Sequence, residues 1–143
     1  MIIEQTLSIL KPNAVAKKII GSIYNRFESA GFRIIGVKMQ WLNSTIAQEF
    51  YIEHKEKPFF NELVTFISSG PIIISILERK NAVQCLRELM GCTDPKYALT
   101  GTLRSDYANN ITQNTIHGSD SIISAQREIN FFFHKNEIFS NTK

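Results

Sequence analysis

Cysteine is scarce in this chain: Cys85 and Cys92 are the only two among 143 residues. Seven positions apart, they form neither a disulfide framework nor the C-x-x-C pair of a small zinc site. A reducing compartment is therefore expected, with Cys85 as a small buried thiol beside Ala82 and Leu89 on a helical face. Long apolar runs are missing too. No stretch approaches the roughly 20 apolar residues of a membrane span, and Met1 to Leu10 carries no basic leader. The expectation is a soluble, cytoplasmic protein with no membrane partner. Low-complexity segments, charge runs and long repeats are absent, which argues against disorder and against solenoids. The excess of Lys and Arg over Asp and Glu is 16 against 13, a formal charge of +3. That is too mild for a nucleic-acid sleeve, so no specific nucleic acid is expected. Anionic ligands remain possible where cations converge.

The usual phosphate-binding loops are lacking as well. "GFRIIGVK" holds G-x-x-x-x-G but continues with Val37 and Lys38, where a Walker loop requires Lys followed by Ser or Thr. There is no G-x-G-x-x-G and no aspartate-centred kinase loop. An RNA-binding module of related topology would need an aromatic-rich strand, and "GFRIIGV" offers only Phe32. Any phosphoryl chemistry must then rest on side chains and on a histidine nucleophile.

What is present reads as one domain over residues 1–143, with 43% hydrophobic and 20% charged residues. A chain of this size buries roughly two-thirds of its unfolded surface. Ile2 to Leu10 predicts a strand that stops at Lys11-Pro12, where proline removes the next ladder donor. Ile19, Ile20, Ile23, Tyr24 and Phe27 predict a helix closed by Gly31. A second strand spans Phe32 to Leu42. A short helix follows, with a capping box in Thr45 to Gln48, and another starts at Pro58 and ends at Gly70-Pro71. "PIIISILE", Pro71 to Glu78, reads as a buried central strand. Asn81 is placed as the cap of a helix that runs to Met90 and ends at Gly91. From Cys92 to about Thr115 no period holds, and so long a loop in a compact domain implies a function. A weak fourth strand at Ile116 precedes a last helix, capped among Ser119, Asp120 and Ser121, with Ile122, Ala125, Ile129 and Phe132 inward. The order is a split β-α-β repeat. It predicts an α+β sandwich of ferredoxin-like topology, a four-stranded antiparallel sheet with helices on one face.

His117, before Gly118 and a helix start, reads either as a structural hydrogen-bonder or as an imidazole facing a helix N-terminus where an anion can sit. A nucleophilic histidine needs a carboxylate partner. Asp120 is better explained as a cap, and Glu128 serves only if its helix packs beside the histidine; otherwise it is a solvated charge. Lys11, Arg87 and Arg104 each stand at an element terminus, where converging cations grip phosphates, and Thr93 and Asn114 add neutral donors. Phe59-Phe60 is either core alone or one core ring and one exposed stacking ring.

Taken together, "NTIHGSDS", "LSILKPNAV" and "GTLRSDYA" resemble nucleoside diphosphate kinases, and the resemblance runs essentially end to end. Asn114, His117, Gly118, Ser119 and Asp120 meet the family pattern N-x-x-H-G-S-D. The resemblance implies ping-pong transfer of a γ-phosphate, mainly from ATP, to His117 and then to a nucleoside diphosphate, with low base and sugar specificity. By motif, Lys11, Arg87, Thr93, Arg104 and Asn114 hold the phosphates and ribose. Phe59 stacks on the base, Tyr51 lies near the transferred phosphate, and Glu128 and Ser119 orient His117. Mg²⁺ is expected on the nucleotide phosphates, with no direct protein ligand. The family forms tetramers or hexamers, and the tail "EIFSNTK" resembles bacterial members, so a homotetramer is expected. The alternative is a nucleotide-binding regulatory module on the same fold, which keeps Arg87, Arg104 and Phe59 but has no need of His117.

Overall fold

A computed structural model describes residues 3–109 and 114–140. The last three residues of the "EIFSNTK" tail and positions 110–113 of the long loop lie outside the described residues. Four strands form one sheet in the order β2-β3-β1-β4. They are β1 (Ile3–Leu10), β2 (Arg33–Gln40), β3 (Ile72–Lys80) and β4 (Ile116–Gly118). Every pairing is antiparallel, with Leu7 opposite Ile76 and Ile9 opposite His117. The isoleucine-rich segment read as central is indeed β3, flanked on both sides and buried from Ile72 to Glu78.

The strand period of two then decides the layers. Leu7, Ile9, Ile72, Ile74 and Ile76 face one core, whereas Leu10, Ile73 and Leu77 face the other. Helices α2 (Ile20–Ser29) and α5 (Ala82–Met90) supply Ile23, Phe27, Ala82 and Leu86 to the second core. These are the two helices of the split β-α-β repeat. The other face is not open, and the expectation of helices on one face is corrected here. Helices α3 (Ser44–Phe50), α4 (Phe60–Ile67) and α7 (Ile122–Phe132) cover it with Ala47, Phe50, Val64, Ile67, Ile129 and Phe132. A sheet whose strands are apolar in both registers has two faces to bury.

Local chemistry explains where the expected boundaries move. Pro12 stops β1 and also opens a short helix, α1 (Pro12–Ala16), because a proline at the first helical position loses no bond. The cap of α3 is Asn43, whose side chain accepts from the Ile46 amide at 2.9 Å, rather than a box starting at Thr45. Asn81 stands at the start of α5 but in a left-handed conformation without a side-chain cap bond. Ser121 caps α7 in a reciprocal box with Ser124. Ile122, expected inward, is the first residue of α7 and is exposed. Cys85 is half-buried and Cys92 exposed. The long loop contains a 3-10 turn, Pro95–Tyr97, and helix α6 (Leu103–Tyr107), capped by Asp94 and Thr102. Five residues are too few for a helical period to repeat, so the pattern was invisible.

Phe27 is fully buried and packs on Tyr24 and Phe32 with ring centroids 5.5 and 6.3 Å away. Phe27→Ala is expected to cost about 3 to 5 kcal/mol, read by urea unfolding. Ile123→Ala, at 84% exposure, should stay within about 0.5 kcal/mol of the parent.

Candidate active site

A cavity of about 1020 Å³ opens at one end of the sheet, lined by Lys11, Arg104, Asn114, His117 and Glu128 among others. Lys11, the residue after β1, is buried, and its ammonium donates to Asn114 Oδ1 at 2.7 Å. Its backbone amide donates to the Thr115 carbonyl at 2.8 Å. Thr115 adopts φ +77°, a left-handed conformation that a β-branched residue holds only when its surroundings fix it. Asn114 in turn donates Nδ2 to the Thr93 carbonyl at 3.2 Å, so three expected donors meet at one point. Arg104 comes from α6. Its guanidinium donates to the carbonyls of Gly91, 3.1 Å, and Ile116, 2.8 Å, and its buried Nε has no hydrogen-bond partner among the described residues. Gly91 ends α5 at φ +88°, and a Cβ there would stand 2.5 Å from Thr102 Oγ1. Glycine therefore permits both the turn and the fit against the α6 cap.

Burial and the nearby Arg104 lower the Lys11 pKa to about 7, and burial and Arg87 lower that of Arg104 to about 10. Both cations have neutral partners, carbonyl and amide oxygens. Neither cation makes an ion pair among the described residues, an arrangement that suits a site able to take an anion.

His117 sits on β4, and its Nε2 lies 2.8 Å from Glu128 Oε1, which also accepts from Ser119 Oγ at 2.8 Å. Helix α7 does pack beside the histidine, so Glu128 is the imidazole's carboxylate partner and not a solvated charge. Burial alone would raise the Glu128 pKa, but the hydrogen bonds from His117 and Ser119 and the Arg127 charge outweigh it and lower it. An ionised carboxylate only accepts, so Nε2 carries a proton toward it, and in the neutral imidazole the lone pair is then on Nδ1. Ser119, fully buried, accepts from the Leu7 amide and donates to Glu128 rather than to the imidazole. Gly118 allows a close approach, but to the protein itself. A Cβ there would stand 2.7 Å from Met90 Sδ and 3.0 Å from Leu86 Cδ2. The nearby N-terminus of α7 is capped by its own serines.

Asp120, expected as a cap, instead accepts from Arg87 Nη1 at 2.7 Å. Phe59 is 41% exposed on the pocket wall, whereas Phe60 is half-buried and packs against the core, so the aromatic pair splits into one open ring and one packed one. Tyr51 is buried beside Phe50, and burial together with the Glu128 charge raises its phenol pKa. Sequence reasoning missed Phe50, whose ring meets the His117 imidazole edge-on at 5.3 Å, and also Glu53, His54 and Arg127. For Phe50 a signal existed, since Ile46, Ala47 and Phe50 follow helical spacing. The other three read as surface residues.

An antiparallel sheet covered on both faces, with a cationic pocket, an imidazole held by a carboxylate and an open aromatic ring, defines a protein of the nucleotide-phosphate-handling class. The chain belongs to the nucleoside diphosphate kinase family: the family model of that description matches residues 4–138. It is an enzyme of that type, with nucleotides as substrates and a divalent cation as cofactor. Among solved structures it is similar to an Aquifex aeolicus nucleoside diphosphate kinase, at 42% identity and TM-score 0.94, covering 96% of this chain and 99% of that one. It is also similar to a halophilic nucleoside diphosphate kinase from Halobacterium salinarum in complex with CDP, at 39% identity and TM-score 0.93, with 98% and 93% covered. Among the described residues no helix is long and apolar enough to cross a membrane.

The Lys11 pKa has a consequence for stability. The unfolded chain keeps this ammonium charged up to the usual 10.5, while the folded protein releases the proton from about 7. Between those values the unfolded state binds more protons, so the Lys11 contribution to stability rises with pH, by up to about 1.4 kcal/mol per pH unit. Lys11→Met should flatten the stability curve between pH 7 and 10, measured by urea titration at each pH. An unchanged slope would contradict the burial of this cation.

Proposed function

We propose that the chain, as one kinase domain over residues 1–143, transfers the γ-phosphate of a nucleoside triphosphate, mainly ATP, to a nucleoside diphosphate in two half-reactions through phosphorylated His117. The observation that carries this reading is the His117–Glu128 pair, at 2.8 Å, inside a pocket whose buried cations have only neutral partners. Nδ1, the nitrogen that Glu128 leaves unprotonated, attacks the γ-phosphorus. The N–P bond forms as the bond to the β-phosphate oxygen breaks, and the diphosphate leaves. The second half-reaction reverses these steps onto a different diphosphate. Glu128 stabilises the positive charge that develops on the ring, and Ser119 holds Glu128. Lys11 and Arg104 stabilise charge on the equatorial oxygens. Arg87, Thr93 and Asn114 hold phosphates and ribose, and Tyr51 closes the pocket near the transferred group.

Phe59 supplies stacking without base-edge hydrogen bonds, which accepts any base. The CDP bound to the halobacterial relative supports a nucleotide in the corresponding pocket. Among the described residues no group of three or more His, Cys, Asp and Glu could hold a metal. Of the carboxylates on the pocket wall, Asp120 and Glu128 are committed to Arg87 and His117, Glu53 faces Arg127, and Asp94 accepts from the Lys96 amide. A cation carried by the nucleotide fits this donor set, and we take it to be Mg²⁺, which when bound neutralises charge on the β- and γ-phosphates. A cytoplasmic homo-oligomer, a tetramer before a hexamer, completes the reading; sedimentation distinguishes the two.

Incubation with γ-labelled ATP and Mg²⁺ without acceptor should place label on His117 that acid removes and alkali spares, and GDP should carry it off as GTP. His117→Gln should take no label. A protein that binds nucleotide but accepts no label would instead be a regulatory module. Phe59→Ala should weaken ADP binding by about 1 to 3 kcal/mol with little change in the phosphorylation rate at saturation, measured by calorimetry and quench-flow.

A further inference from the structure

The cations of the pocket fall into two kinds. Lys11 and Arg104 are held by neutral oxygens. Arg127, also on the pocket wall, stands between two carboxylates, with Nε 3.5 Å from Glu53 Oε1 and Nη2 3.6 Å from Glu128 Oε2. Glu128 uses its other oxygen, Oε1, for His117 and Ser119. Arg127 Nε is shielded from solvent and has no hydrogen-bond partner among the described residues, so the facing carboxylate charge is what compensates it. The two carboxylates belong to different parts of the fold. Glu128 lies in α7, and Glu53 lies in the 3-10 turn Ile52–His54 between Tyr51 and the Phe59 flank.

We propose that Arg127 is a positioning residue for phosphoryl transfer, whose guanidinium ties the Glu128 carboxylate that orients His117 to Glu53 on the nucleotide side of the pocket. The inference rests on His117 being the phosphorylated residue. Two effects follow from the geometry. Arg127 restrains Oε2, which fixes the rotation of the carboxylate and so the direction in which Oε1 holds the imidazole. It also offsets one of two negative charges that would otherwise face an incoming polyphosphate. With its charge committed to two acids, Arg127 is a poor phosphate ligand, unlike Lys11. Its contacts exceed hydrogen-bond length and have room to tighten when substrate fills the cavity.

The test uses the full chain as wild type, Arg127→Met, Arg127→Lys, Glu53→Gln and the Arg127→Met/Glu53→Gln double variant. The quantities measured are the single-turnover rate of His117 phosphorylation by γ-labelled ATP with Mg²⁺, ADP affinity by calorimetry, and Tm. Arg127→Met is expected to slow phosphorylation about tenfold, as loss of an outer-shell partner does, with ADP affinity within about twofold of wild type. Arg127→Lys should restore most of the rate. Glu53→Gln should slow the wild type but add nothing to Arg127→Met. An unaffected Arg127→Met rate overturns the inference alone, as does an ADP affinity that falls in step with the rate, which would make Arg127 a phosphate ligand. Arg127→Lys as slow as Arg127→Met, with Tm lowered in both, also overturns it in favour of a structural role. A wild type that takes no label on His117 overturns the proposed function and this inference with it.

Discussion

A carboxylate that stays ionised inside the protein sets the requirements for everything around it. Glu128 is a buried residue whose Oε1 accepts from both His117 and Ser119 at 2.8 Å. Those bonds keep it charged against the desolvation that would neutralise it. They exist only if α7 lies along β1 and β4, and that packing needs the Ile129 and Phe132 face against Leu7 and Ile9. They also need β4 close to α5, which is why position 118 is a glycine under Met90 and Leu86. The hydrophobic core thus sets which nitrogen of a single imidazole faces the carboxylate, because a slide of α7 would change the ring atom that meets it.

The cationic half of the pocket follows a different logic. Burying Lys11 and Arg104 is unfavourable, and both pKa values are depressed by it. Their partners are dipoles that orient without neutralising. An anion docking beside these cations would relieve that cost and leave little reorganisation for the moment of reaction. The left-handed Thr115 belongs to the same account, since its carbonyl fixes the Lys11 backbone and its neighbour Asn114 fixes the ammonium. An isolated chain segment would not hold that conformation; the sheet on one side and the long loop on the other impose it.

Much of this was legible in the sequence because period and punctuation are local signals. β3, α2 and α5 come from apolar spacing and from Gly31, Gly70 and Gly91. What was not legible is of two kinds. Short elements such as α1 and α6 leave no repeat to detect. Contacts between distant residues leave no trace either: Lys11 and Asn114 stand 103 positions apart, and His117 meets Glu128 only through the docking of a helix. The motif resemblance named Glu128 where residue chemistry left it open. Neither route saw that Asp120 pairs with Arg87, or that Arg127 sits between two acids. Isolated charges read as solvated surface until the fold supplies their neighbours.

The long loop is best understood from its anchors. Arg104 reaches across to the backbones of α5 and β4, while Arg26 of α2 pairs with Asp106 at 2.8 Å and also donates to the Gly101 carbonyl. Lys17 donates to the Tyr107 carbonyl at 2.7 Å. The described part of the loop is therefore fixed from the pocket side and from the α2 side together, through charge-assisted bonds to backbone oxygens that a two-sided clamp makes hard to open one at a time. A segment held in this way is a wall, not a lid. The pocket then has to admit and release nucleotides past its other flank, where Phe59 is open and Glu53 and Arg127 meet only by charge. In the proposed reading, rigidity lies at the phosphate end and tolerance at the base end. That division suits the proposed transfer, in which the same phosphorus atom is placed identically for every base accepted.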